Sequence, residues 1–260
     1  IGEWMSNLLQ RIITGAIIAS AAVWISYQGG AYFAFFVICL GALVFSEYVN
    51  ITKQYYNKPL FMLNAILYLV FSILVLGKIS LYNILQFVCV CTVCLYFLTF
   101  ISKPTNYWMP FGFIYSTLPV VALIYIRSYS FTYIIYLFLI IWGTDIGGYI
   151  FGKIIGGKKL ATKISPKKTY SGAIGGLILS FVAVLIYLFI NNSLSYSLAF
   201  GAIMLSIFSQ YGDLFESSIK RRFKVKDSGS ILPGHGGVMD RVDGLIFASI
   251  IFALILIIAK

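Results

Sequence analysis

"LIFASIIFALILIIA" occupies residues 245–259 and carries no charged side chain. A bilayer's hydrocarbon core takes about 20 mostly apolar residues of helix, so this run reads as most of a membrane-spanning helix. Comparable apolar runs fall at 12–28, 31–46, 60–76, 81–101, 109–126, 131–151, 172–190 and 194–211, and the quoted run extends to 242–259. Gly29-Gly30 separates the first two as a tight turn, and Lys103-Pro104 and Asn191-Asn192 punctuate later ones. The 260 residues are 60% hydrophobic and only 10% charged, with mean hydropathy +0.95, whereas soluble domains carry roughly 25% charged residues. No soluble core absorbs that much apolar surface. The expected fold is all-α, a polytopic integral membrane helical bundle of about nine transmembrane helices. Residues 1–130, spans one to five, are expected to be scaffold, and 131–260, spans six to nine, the catalytic part of one continuous membrane domain.

Two local patterns invite other readings. Ala19-Ser20-Ala21 after Arg11 resembles a signal-peptide cleavage site, but the next span follows immediately, so the first run is read as a membrane helix. Cys39, Cys89, Cys91 and Cys94 all sit inside apolar runs. Cys91-x-x-Cys94 has no second Cys pair and no nearby His, so these thiols are read as small packing hydrophobes rather than a zinc or redox site.

The net charge is +11. With nine spans, all of the 19 Lys and Arg fall on one side of the membrane except Lys78, Arg127 and Lys260. Basic residues resist translocation. The N terminus is therefore expected in the cytoplasm and the C terminus outside, with the two most basic loops facing the cytoplasm. Topology accounts for the positive charge, and no nucleic-acid partner is expected.

Acids are scarcer and more telling. Of eight, six lie between 145 and 243: Asp145, Asp213, Glu216, Asp227, Asp240 and Asp243. A charge deep in hydrocarbon costs roughly 2.5–3.5 kcal/mol on insertion scales, so carboxylates near the ends of three spans need compensation. Asp213 and Glu216 are three apart and share a helical face. Asp240 and Asp243 repeat that spacing at the start of the last span, where a helix N-terminus favours anions. Two such faces meeting would offer the oxygen ligands that Mg²⁺ prefers. On the other reading, these acids only neutralise Lys220, Arg221 and Arg241.

The loops between these spans look built for anions. "GGYIFGKIIGGKKLATKISPKKTYSGAIGG", residues 147–176, alternates glycines with six lysines. Glycine lets backbone N–H groups approach an anion, lysine supplies point charge to phosphate, and Gly172 opens a helix whose N-terminus is itself an anion site. A basic loop on lipid headgroups is the blander alternative. "KRRFKVKDSGSILPGHGGVMDRVD", residues 220–243, packs nine charged side chains and the single histidine, His235, among glycines. His235 is read as a contact to phosphate or metal-bound water, not as a general base. Cations, carboxylates and glycines together describe a metal–polyphosphate site at the membrane surface. Such a site suits one lipid substrate and one soluble nucleotide. Gly143, Gly147, Gly172 and Gly176 also carry the small-xxx-small spacing of close helix packing.

The pattern Ser217-x-Ile219-Lys220-Arg221, four residues, then Lys226-Asp227-x-Gly229-x-x-Leu232-Pro233-x-His235-Gly236-Gly237-Val238-x-Asp240-Arg241-Val242-Asp243 resembles the signature of the phosphatidate cytidylyltransferase (CDP-diacylglycerol synthase) family. "SPKKTYSG" (165–172) resembles a second family block, with Tyr170-Ser171 where Trp-Glu is common, so no role passes to residue 171. "WGTDIGGYIFGK" (142–153) and "GDLFES" (212–217) resemble two more, while the first five spans carry only a vague likeness in "RIITG" and "FSEY". The resemblance implies that CTP and phosphatidate give CDP-diacylglycerol and pyrophosphate. It also implies Mg²⁺, with room for a monovalent cation such as K⁺, and a homodimer in the bacterial inner membrane whose active site faces the cytoplasm.

On that footing Asp213 and Asp240 are expected to hold Mg²⁺, with Asp145 or Asp243 completing or orienting the shell. Lys167, Lys168, Lys220, Arg221 and Arg241 are expected on the triphosphate or the phosphatidate, with Ser165 in the same binding block, and Lys226 and His235 on the leaving pyrophosphate. Asp213, Lys220, Asp240 and Arg241 form the expected catalytic set. A CTP-dependent polyprenol or dolichol lipid kinase would release CDP rather than pyrophosphate. A CDP-alcohol phosphotransferase would need an Asp-Gly…Ala-Arg series that is not visible here. An ion-coupled transporter would place its acids at mid-span in related halves, and no internal repeat is evident.

Overall fold

In the computed structural model, residues 2–52, 58–102, 108–193, 195–231 and 236–259 are described, with side chains from Ile13 onward except at 102 and 109. The described residues form nine helices: α1 (Gly2–Gln28), α2 (Gly30–Thr52), α3 (Lys58–Leu76), α4 (Leu81–Ser102), α5 (Trp108–Tyr129), α6 (Phe131–Ile154), α7 (Tyr170–Ile190), α8 (Tyr196–Arg222) and α9 (Met239–Ile258). Among these residues, eight helices are long and apolar enough to cross a membrane, and α1 contributes a shorter apolar stretch, Ile13–Gln28. Each coincides with one of the expected runs. Inside a bilayer every backbone polar group must be satisfied within the segment, which leaves helix as the local solution for separate apolar runs.

Two features depart from the sequence reading. The lysine-rich loop contains an antiparallel hairpin, β1 (Lys159–Ala161) and β2 (Ser165–Thr169). Also, α8 runs on to Arg222, well past the apolar limit at 211. Helix needs hydrogen bonds and not hydrophobicity, and the extension is supported by i,i+4 pairs: Glu216 with Lys220 at 2.9 Å and Ser217 Oγ donating to Asp213 Oδ1 at 3.3 Å. Lys220, Arg221 and Arg222 then sit in the last turn, where cations complement the helix dipole.

The chain forms two compact units, Ile1–Phe131 with Asp227–Arg241, and Thr132–Lys226 with Val242–Lys260. In the first, α2 and α5 approach closely at Gly41, where an added Cβ would meet Tyr68 Oη, Val120 and the Ser116 carbonyl. Tyr48 is fully buried against Phe111 and Tyr115 and donates its hydroxyl to the Trp108 carbonyl at 2.8 Å. Arg127 closes the end of α1, with Nε donating to the Ser26 carbonyl at 2.6 Å and Nη2 to the Tyr27 carbonyl at 3.0 Å.

In the second unit small residues set the spacing. A Cβ at Gly147 would collide with the Gly175 carbonyl, and one at Gly172 with the Gly148 carbonyl, so α6 and α7 touch backbone to backbone. The expected small-residue packing is therefore present. Gly212 meets the Asp243 carbonyl and Gly244 meets Ser209 in the same way, drawing α8 onto α9.

Candidate active site

Those glycine contacts decide where the acids of the second unit lie. Asp145 is on α6 beside Gly143 and Gly147, Asp213 follows Gly212 on α8, and Asp243 precedes Gly244 on α9. Asp243 is half-buried and within electrostatic reach of Asp213, Glu216 and Asp145, so four carboxylates from three helices share one field.

Two ammonium groups answer them. Lys168, on β2, pairs with Asp213, and Lys220 pairs with the fully buried Glu216 at 2.9 Å. The reading of these acids as neutralisers of cations therefore holds at Glu216–Lys220. A cavity of about 460 Å³ opens within this unit; Asp145, Asp213, Lys153, Lys159, Lys167 and Lys168 supply its charge, and Thr144, Ser209 and Gln210 add neutral polar groups. Four cations against two acids make it a net positive cleft.

The hairpin delivers the lysines. The Tyr170 N–H donates to the Lys158 carbonyl at 3.1 Å, and Thr169 caps α7 by accepting from the Gly172 N–H at 3.1 Å. Because β2 runs straight into that cap, Lys167 and Lys168 are held at the start of α7. Arg221 is engaged at the same hairpin, with Nε donating to the Ile164 carbonyl and Nη1 to the Val225 carbonyl, both at 3.2 Å. Ser165 opens β2, and Lys226 is exposed beyond α8.

Asp240 and Arg241 belong to the first unit. Asp240 Oδ2 accepts from the Ser228 N–H at 2.9 Å and the Gly237 N–H at 3.0 Å, so this carboxylate oxygen is bonded to the glycine-rich segment. Arg241 is exposed in the first turn of α9. His235 lies outside the described residues.

The acids that share the field of Asp243 offer carboxylate oxygens, the ligand type that a hard divalent cation takes. Among the described residues, no three Asp, Glu, His or Cys side chains are already gathered into a metal cage. Asp213, Asp243 and Asp145 are the residues of this unit that would hold such an ion.

Sequence reading passed over several groups. Lys153 and Lys159 belong to the cavity, and the crowding of six lysines between 153 and 168 was the available signal. Gln210 also lines it, with Nε2 donating to the Ala173 carbonyl at 3.2 Å; nothing in its apolar surroundings marked it. Glu47 was counted among the eight acids and within "FSEY" but given no role, yet an acid at the end of an apolar run was itself a signal.

Comparison with known proteins fits this arrangement. A family model described as the cytidylyltransferase family matches residues 9–259. The chain belongs to the cytidylyltransferase family. A phosphatidate cytidylyltransferase of Brucella suis biovar 1 (strain 1330) is 38% identical over 256 residues, covering 96% of this chain and 93% of that protein. The phosphatidate cytidylyltransferase of Staphylococcus haemolyticus is 50% identical over 133 residues, half of this chain and 51% of its own length. That of Staphylococcus aureus (strain COL) is 48% identical over the same span length. With its apolar helices and bacterial relatives, this cytidylyltransferase-family chain is an integral membrane protein, and the resemblance carried by the Ser217–Asp243 motif is supported along nearly the whole chain.

Proposed function

We propose that the chain transfers the CMP moiety of CTP to phosphatidate, forming CDP-diacylglycerol and releasing pyrophosphate. The observation that carries this is the lysine-lined cavity with Asp145 and Asp213 in its wall, in a chain whose relatives bear that activity in their names. A phosphate oxygen of phosphatidate forms the new bond to the CTP α-phosphorus, and the bond from that phosphorus to the oxygen bridging to the β-phosphate breaks. The electron pair leaves with pyrophosphate.

A phosphate monoester is already largely ionised near neutral pH, so the attack needs no strong general base. The protein's task is alignment and charge neutralisation. Lys153, Lys159, Lys167 and Lys168 offset the charge of the triphosphate and the incoming lipid phosphate. Lys220 balances Glu216 within the acidic cluster. Arg241 is assigned to a phosphate, and Asp240 to the shape of the segment from which Arg241 projects. Asp213, with Asp243 and Asp145, would hold Mg²⁺, which would add charge neutralisation on the phosphates. The bias of Lys and Arg supports a site on the cytoplasmic face of a bacterial inner membrane.

Purified protein incubated with CTP, phosphatidate and Mg²⁺ is expected to release pyrophosphate only when lipid is present, with CDP-diacylglycerol in the organic phase. Release of CDP with a more highly phosphorylated lipid would establish a kinase instead. No turnover together with solute flux in vesicles would establish a transporter.

A further inference from the structure

Glu47 lies near the end of α2 and is 1% exposed. Among the described residues no Lys or Arg pairs with it; its charge is met by hydrogen-bond donors alone. Oε1 accepts from the Val238 N–H at 2.8 Å, and Oε2 accepts from the Met239 N–H and the Ser228 hydroxyl, each at 2.8 Å. Val238 and Met239 start α9, so Glu47 of α2 satisfies N–H groups that a helix start leaves open and places its negative charge at the favourable end of the dipole. Hydrogen bonds to a charged acceptor are the strong kind, and burying this carboxylate without them would be prohibitive.

Two motif glycines acquire a reason at the same point. A Cβ at Gly229 would meet Glu47 Oε1 at 2.8 Å, and one at Gly237 would meet Oε2 at 2.5 Å. At Gly229 the carboxylate fills the space a side chain would need, and at Gly237 the carboxylate and the Ser228 hydroxyl bonded to it fill it together. Residues 228–229 and 237–239 are thereby fastened to one group, and Asp240, the next residue, reaches back to the Ser228 and Gly237 N–H groups.

We infer that Glu47 is a positioning residue for the proposed reaction: its carboxylate is the template on which the glycine-rich motif segment folds, and it sets the stance of Asp240 and Arg241 at the start of α9. This rests on the proposed reaction for its activity readout only. The chemistry is specific to an acceptor-only group. Glutamine has nearly the same shape, but whichever way its amide is turned, an NH₂ faces a backbone N–H of Val238 or Met239. Aspartate is shorter but keeps both acceptors.

The test compares Glu47→Asp, Glu47→Gln and Ser228→Ala in the full-length protein. It reads CTP- and phosphatidate-dependent pyrophosphate release, trypsin cleavage after the exposed Lys226, and the unfolding midpoint in detergent. Turnover is expected to fall by at least about tenfold in Glu47→Gln, with faster cleavage and a midpoint within about 3 °C of wild type. Glu47→Asp should retain more activity than Glu47→Gln. A space-filling role predicts the reverse order, and that order would overturn the inference, as would unchanged cleavage. If Glu47→Gln does not fold, Ser228→Ala decides, since it removes one bond of three: roughly threefold lower turnover with faster cleavage supports the template, and wild-type values in both refute it. A wild-type protein that does not turn over CTP would refute the proposed reaction, while the cleavage comparison would still decide whether Glu47 shapes the segment.

Discussion

Asp213 and Glu47 both have to keep a carboxylate in an apolar chain, and they do it differently. Asp213, half-buried on α8, is met by the ammonium of Lys168 at the wall of an open cavity. Glu47, buried on α2, is met by two backbone N–H groups and one hydroxyl. A lysine is a mobile point charge on a flexible stem, so its partner can be exchanged for a metal or shared with a phosphate. Backbone donors cannot leave. The first arrangement is suited to chemistry and the second to architecture, although both begin with one acid placed near the end of an apolar helix.

The largest effect should come from the exchangeable side. Stripping divalent cations with EDTA is expected to reduce turnover to background, and added Mg²⁺ to restore it. Restored activity without any divalent ion would remove the metal from the proposal. Asp213→Asn should lower turnover roughly a hundred- to thousandfold, the scale of losing one electrostatic element of a transfer site, with little change in the unfolding midpoint; near-normal pyrophosphate release would break the contrast with Glu47. Lys168→Ala should cost less, raising the KM for CTP about tenfold because three lysines remain in the cavity, and the defect should shrink as ionic strength rises and screens the wild-type advantage.

Gly147→Leu probes the frame instead. Its Cβ would strike the Gly175 carbonyl, and overpacking of this kind costs about 1–3 kcal/mol, read as a lower unfolding midpoint with lower activity. The smallest effect belongs to Arg127→Ala. It removes the donors to Ser26 and Tyr27, costing about 0.3–1 kcal/mol of stability as a helix-end cation does, and should leave turnover unchanged. A loss of activity there would mean that the frame and the chemistry are not separable.

Legibility in the sequence follows the kind of signal. The helices were readable because span length and apolarity are properties of consecutive residues, and the eight span-length helices fall on the expected runs. The hairpin was not, since "KLA" and "SPKKT" lack the alternating apolar pattern that marks a strand. Its stability comes from strand pairing and from the Thr169 cap on α7. Among the site residues, Asp145, Asp213, Lys167 and Lys168 were named in advance and do share one cavity. Lys153 and Lys159 were counted only as loop charge, and the two backbone N–H groups that donate to Asp240 Oδ2 were not foreseen.

By itself the sequence determined the environment, the helices and the supply of charge: apolarity, run length and the bias of Lys and Arg act locally and add along the chain. It also carried the motif by which the family is known. Only the tertiary structure decided which charge answers which. Whether an acid meets an ammonium, a backbone N–H or another acid depends on side chains brought together from distant positions, such as Glu47 and Met239. That pairing, set by close glycine contacts and by the cost of leaving a buried charge unmet, separates the carboxylate at the wall of the lysine-lined cavity from the one bonded to a helix start.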